Sequence, residues 1–177
     1  TMGNASRDWL LAADCIPPAA VGPWRAAADA TLAAIDAAFA NVGPRKQLRL
    51  HGDCHLGNVL WADNGPQFVD FDDACTGPAI QDLWMLLSGD PASMHSQMTA
   101  VLEGYRRFTD FDRNELRLIE PLRTLRMLRH SAWIAQRWAD PAFPAAFPWF
   151  SEPAYWQEQA ADLRDQLAAM QDASLRT

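Results

Sequence analysis

Between Leu48 and Leu87 the chain gathers a histidine, an asparagine and several aspartates in one run, LRLHGDCHLGNVLWADNGPQFVDFDDACTGPAIQDLWMLL. These side chains suit phosphoryl transfer. That reaction is mostly positioning and charge neutralisation, with one carboxylate beside the attacking hydroxyl and oxygen ligands for magnesium on the nucleotide phosphates. Asp53 fits the first task. Asn58 and Asp70 fit the second, because magnesium prefers hard oxygen donors and keeps waters alongside one or two carboxylates.

The elements that must position these residues can be read locally. Leu48 to Leu50 is a short apolar strand ending in His51-Gly52-Asp53, and Asn58 follows a loop that contains Gly57. Val59 to Trp61 restarts a strand, Asp63-Asn64-Gly65-Pro66 supplies turn chemistry, and Gln67 to Phe71 returns as a second strand carrying Asp70. The hairpin is predicted to bring Asp70 back beside Asn58 and Asp53. His51 is expected to brace the loop rather than to move a proton, since the adjacent aspartate fills that role. Asp82, on a short apolar helix, is expected to hold the same loop by hydrogen bonds, because a carboxylate withdrawn from water needs partners.

The residues HGDCHLGN, followed by VDFDD and then by Gly77 and Asp82, resemble the signature of the aminoglycoside phosphotransferase and choline kinase superfamily, relatives of the protein kinases. The segments FVDFDDACTGPAIQDLWMLLSGD, RWADPAFP and FPWF are similar to a bacterial serine/threonine protein kinase branch of it. The resemblance implies an α+β, mainly α fold: the large C-terminal lobe of a protein-kinase-like enzyme with a small catalytic-loop β-hairpin, covering residues 1–177. It further implies ATP as phosphate donor, Mg²⁺ held by Asn58 and Asp70, Asp53 as proton acceptor, and Asp70 as part of the active centre. Protein serine and threonine hydroxyls are the implied acceptors, with a small-molecule kinase of the aminoglycoside, choline or homoserine type as the alternative. A full-length monomer in the cytoplasm is the accompanying expectation.

The same resemblance shows what this sequence lacks. A kinase of that kind has an N-terminal lobe with a glycine-rich loop and a paired lysine. There is no GxGxxG or GxxxxGK here, and the single lysine, Lys46, sits just before the catalytic strand. The expectation is a C-terminal lobe that folds but does not catalyse alone, and that self-associates or docks through apolar surface left without its cover.

Composition narrows the alternatives. With 177 residues, 49% of them hydrophobic, and eight tryptophans, the chain can fill the core of one domain. A net charge of −7 argues against nucleic-acid or anionic-membrane binding. Cys15, Cys54 and Cys75 are an odd number with no CxxC, and no apolar run reaches spanning length. A rival metallohydrolase site would need the strand to continue so that His51, Asp53 and His55 share a face. Gly52 and Gly57 predict a loop there instead.

Outside the motif the pattern is helical. Val21, Trp24, Ala28, Leu32, Ile35 and Phe39 recur at helical spacing before Gly43-Pro44. Further helices are predicted over 79–87, from Pro91 to about Phe108, and from an Asp112/Glu115 capping box through a kink at Pro121 to Trp138. Pro141 to Pro148 reads as a loop, and a last helix begins near Ser151, with Trp156, Ala160, Leu163 and Leu167 on one face.

Overall fold

In a computed structural model describing residues 2–172, the chain is mainly helical with two small antiparallel sheets. It divides into two compact units, one built from Val42 to Ile119 and the other from the chain before and after that stretch.

In the second of these units, α1 (Met2–Ala12), α2 (Pro18–Val42), α5 (Ile119–Gln136) and α7 (Pro153–Gln171) enclose a core of Leu10, Trp24, Leu32, Leu128, Ile134, Phe150, Trp156 and Leu163. The apolar stripe of α2 buries Trp24, Ala28, Leu32 and Ile35, as its periodicity predicts, and Gly43 follows with φ +72°, a conformation that glycine adopts without a Cβ penalty. Burying an indole leaves its N–H needing an acceptor. Trp24 donates to Gln159 Oε1 at 2.6 Å and Trp156 to the Phe150 carbonyl at 2.9 Å.

Two predicted features differ here, and one observed helix has no predicted counterpart. The stretch 141–148 holds a short helix, α6 (Ala142–Ala146), and Pro148–Ser151 forms a 3-10 turn. Asp140 Oδ1 accepts from Ala142 N at 2.9 Å, and Phe143 packs on Trp133 with ring centroids 5.0 Å apart, so capping and aromatic contact order what its prolines marked as loop. Pro121 does not kink a helix. It lies in the first turn of α5, where a 3-10 stretch, Arg113–Leu118, gives way to α-helix and a missing N–H costs little. The α1 helix has no counterpart in the predicted elements.

The unit from Val42 to Ile119 carries the motif. Strand β1 (Leu48–Leu50) pairs antiparallel with β4 (Cys75–Gly77), Leu50 opposite Cys75. Strands β2 (Val59–Ala62) and β3 (Gly65–Phe68) form the predicted hairpin, with Ala62 opposite Gly65 across a two-residue Asp63-Asn64 turn and Val59 opposite Phe68. The return strand thus starts two residues earlier than predicted and stops before Asp70. Helix α3 (Ile80–Leu83) continues as a 3-10 turn over Trp84–Leu86, and α4 (Pro91–Tyr105) starts from Asp90, whose carboxylate accepts from Ala92 N and Ser93 N, both at 3.0 Å. Those bonds, with the Ser93 hydroxyl foremost, hold the Asp90 carboxyl below its usual range.

Candidate active site

The loop from His51 to Asn58 is tied together by its own polar groups. Its glycine sets the path: Gly52 has φ +88°, and a Cβ there would stand 2.1 Å from the Asp73 carbonyl oxygen, so the loop passes closer to that backbone than any other residue allows. The amides on either side of this bend both point at Asp82. His51 N donates to Asp82 Oδ2 at 2.8 Å and Gly52 N to Oδ1 at 2.9 Å. Each carboxylate oxygen takes one loop amide, the strong arrangement for an ionised acceptor. Asp82 is therefore placed as a brace.

His51 is buried and engaged at both ring nitrogens. Nε2 lies 2.8 Å from the Val69 carbonyl, and Nδ1 accepts from Asp53 N at 3.4 Å. A carbonyl can only accept and an amide can only donate, so Nε2 is the donor toward Val69 and Nδ1 the acceptor from Asp53. Phe71 packs on it at 4.6 Å. With both nitrogens committed to backbone, this imidazole has no lone pair for a metal. Among the described residues, no group of three or more His, Cys, Asp and Glu side chains is placed to hold a metal ion. The His51/Asp53/His55 hydrolase arrangement is not formed.

Asn58, at the end of a 3-10 turn (Leu56–Asn58), joins three segments. Its side chain is buried and donates through Nδ2 to the Asp53 carbonyl at 3.0 Å, and its own carbonyl accepts from Val69 N at 3.1 Å. That bond commits the amide NH₂ and leaves the amide oxygen, an atom of the hard-donor type magnesium prefers, outside it. Val69 precedes Asp70, so the hydrogen bond that fastens Asn58 also fixes the start of the aspartate's turn. Asp70 is exposed and has φ +64°, left-handed backbone that aspartate and asparagine tolerate better than other residues with a Cβ. Such a conformation re-aims one side chain at the end of a strand.

Asp53 is partly exposed, and its Oδ2 stands 3.4 Å from His55 Nε2. His55 Nδ1 accepts from Gly57 N at 3.0 Å, which puts the proton on Nε2 facing the carboxylate. His55, considered from sequence only as a metal ligand, is thus placed to orient Asp53. Cys54, next in the chain, is buried. Burial pushes its thiol up to about 11, with the charges of Asp82 and Asp53 adding, so it is not primed as a nucleophile. Asp72 and Asp73 are exposed, and Asp73 enters through its backbone beneath Gly52. A cavity of 350 Å³ adjoins the loop, lined by Leu50, His51, Cys54, Phe68, Phe71 and Asp82 among others.

The predicted base and metal-binding residues therefore lie on one hydrogen-bonded loop and hairpin. Asn58 and Asp70 both carry side-chain oxygens, the donor type that magnesium takes alongside phosphates and waters. Sequence reasoning did not find Glu115 in the role the structure gives it. Instead of completing a capping box with Asp112, its Oε2 accepts from Ile80 N at 3.1 Å, 35 residues away. Asp112 caps its own turn through Asn114 N at 2.9 Å.

Residues 2–119 match the model of the phosphotransferase enzyme family, APH. Over 129 residues, 73% of this chain, it is 54% identical to stress response kinase A of Escherichia coli O157:H7 and 53% identical to the protein of that name from strain K12. It is 51% identical over the same share to serine/threonine protein kinase RdoA of Salmonella typhimurium strain LT2. The match covers 39% of each relative's length. No helix among the described residues is long and apolar enough to cross a membrane.

Proposed function

Because the chain belongs to the phosphotransferase enzyme family, we propose that the full-length protein transfers the γ-phosphate of ATP to serine and threonine hydroxyls of a protein substrate. The observation that carries this reading is the Asn58 junction, where one residue is bonded to the Asp53 loop by its side chain and to the Asp70 segment by its backbone. Relatives named as a stress response kinase and as a serine/threonine protein kinase support the choice of acceptor.

In this reading Asp53 orients the acceptor hydroxyl and takes its proton at the carboxylate oxygen that does not face His55. Asn58, through its amide oxygen, and Asp70, through its carboxylate, hold Mg²⁺. The ion, when bound, neutralises charge on the β- and γ-phosphates. Asp82 and His51 keep the loop in shape, so that the base stays where the hydroxyl arrives. Lacking a glycine-rich loop and a lysine outside the catalytic region, the 177-residue chain alone binds ATP weakly and does not turn over. Leu60, Trp61 and Phe68, exposed on the hairpin, give it surface through which to self-associate.

The test is radiolabelled ATP with the full-length protein, a generic protein acceptor, and a panel of aminoglycosides and amino alcohols. Magnesium-dependent label on protein serine or threonine is expected. Label on a small-molecule hydroxyl, with none on protein, would overturn the protein-kinase reading.

A further inference from the structure

Glu115 is one of the few charged side chains withdrawn almost completely from water, with 3% of its surface exposed. A carboxylate in that position is costly unless hydrogen-bonded. Its Oε2 accepts from Ile80 N at 3.1 Å, and Ala79 N–H also favours its charged form. These are amides at the start of α3, which no side chain of its own cap satisfies. Two residues further on, Asp82 takes the amides of His51 and Gly52. Helix α3 spans only Ile80–Leu83, so the amide that Glu115 holds and Asp82 lie on a single helical turn.

We propose that Glu115 is a positioning residue for phosphoryl transfer, anchoring α3 so that Asp82 holds the Gly52 bend and Asp53 in place. The proposal rests on the catalytic role assigned above to Asp53, but its structural arm does not. Glu115 touches no reacting atom. It acts through two sets of backbone amides; Asp112 raises its carboxyl and Arg45 lowers it. Truncating it would leave the α3 amides unpaired in a buried place and let the turn shift, which Asp82 transmits to Gly52.

The test uses the full-length protein with uniform ¹⁵N labelling, in the wild type, Glu115→Gln and Glu115→Ala. Both variants are expected to move the Gly52 amide resonance and speed its exchange. Turnover per folded molecule should fall about 10–100-fold in Glu115→Ala and less in the near-isosteric Glu115→Gln, as loss of a buried charge-assisted contact predicts. The KM for ATP should stay nearly constant. If a variant does not fold, wild-type exchange decides: the Ile80, His51 and Gly52 amides should open together. An unmoved Gly52 signal with unchanged turnover per folded molecule, or Gly52 exchanging independently of Ile80, would overturn the proposal. Absence of any wild-type phosphoryl transfer would instead fault the functional reading and leave the Gly52 result to judge Glu115.

Discussion

Substituting Gly52 by alanine tests the loop geometry at its tightest point. At φ +88° a residue with a Cβ costs roughly 1–2 kcal/mol from backbone conformation alone. The new methyl would also stand 2.1 Å from the Asp73 carbonyl oxygen, and since that neighbour is backbone, no rotamer change relieves the overlap. The loop must move away by about an ångström, and the amides that move are those bonded to Asp82. A hydrogen bond to a charged group contributes about 1.5–3 kcal/mol, so losing one brings the total to roughly 3–5 kcal/mol. That is within the stability of an ordinary domain, about 5–15 kcal/mol, so the protein should still fold. The displacement falls on Asp53, and a loss of about 3 kcal/mol of catalytic positioning corresponds to roughly 10²-fold in rate. The assay is Mg-ATP turnover of the full-length Gly52→Ala protein beside circular dichroism. Gly22→Ala serves as control, since a Cβ there meets nothing within 4 Å inside a helix. Turnover of Gly52→Ala within a few-fold of wild type would refute the argument that this glycine is required by the approach of Asp73.

Other outcomes follow from the same geometry. Asp82→Ala should lower turnover more than Asp82→Asn, which keeps one oxygen acceptor for the two loop amides, and steady-state kinetics of both checks it. The Glu115 carboxyl is raised above its ordinary range, first by burial and then by Asp112, with the Ile80 amide and Arg45 opposing. A raised carboxyl binds protons more tightly in the folded state, so its contribution to stability is present in full below the unfolded pKa and declines as pH rises through the folded one. Denaturant melts should therefore show wild type gaining on Glu115→Gln as pH falls from neutral toward 5. Cys54, with its thiol pushed up to about 11, and Cys15, raised to a similar value mainly by burial, should alkylate more slowly at neutral pH than exposed Cys75, as peptide mass spectrometry of iodoacetamide-treated protein will read.

What was legible in the sequence follows the range of the interactions. The hairpin could be read because Asp63-Asn64-Gly65 supplies local turn chemistry between two strands, and α2 because its apolar residues repeat every third or fourth position. Asp53, Asn58 and Asp70 stood out by type and spacing, and the structure adds the contacts that gather their segments. Strand β4 was missed because Cys-Thr-Gly has no pattern of its own and is a strand only through pairing with β1. Asp70 was placed within a strand, whereas its left-handed turn is imposed by what surrounds it. Glu115 was read as a cap because it stands three residues after Asp112. Its amide partner is 35 residues distant, and only the folded chain brings the two together.

The central claim is that Asp53 serves as base while Asn58 and Asp70 hold magnesium. Its most direct test is the magnesium dependence of turnover in full-length wild type, Asp53→Asn and Asp70→Asn, with folding verified by circular dichroism. Asp53→Asn should lose on the order of 10²–10⁴-fold in kcat at every magnesium concentration, as for a positioned base. Asp70→Asn keeps a residue suited to left-handed backbone, so it should fold and show a raised magnesium requirement together with a large loss of turnover. Near-normal activity of Asp70→Asn at limiting magnesium, or of Asp53→Asn at any concentration, would contradict the assignment.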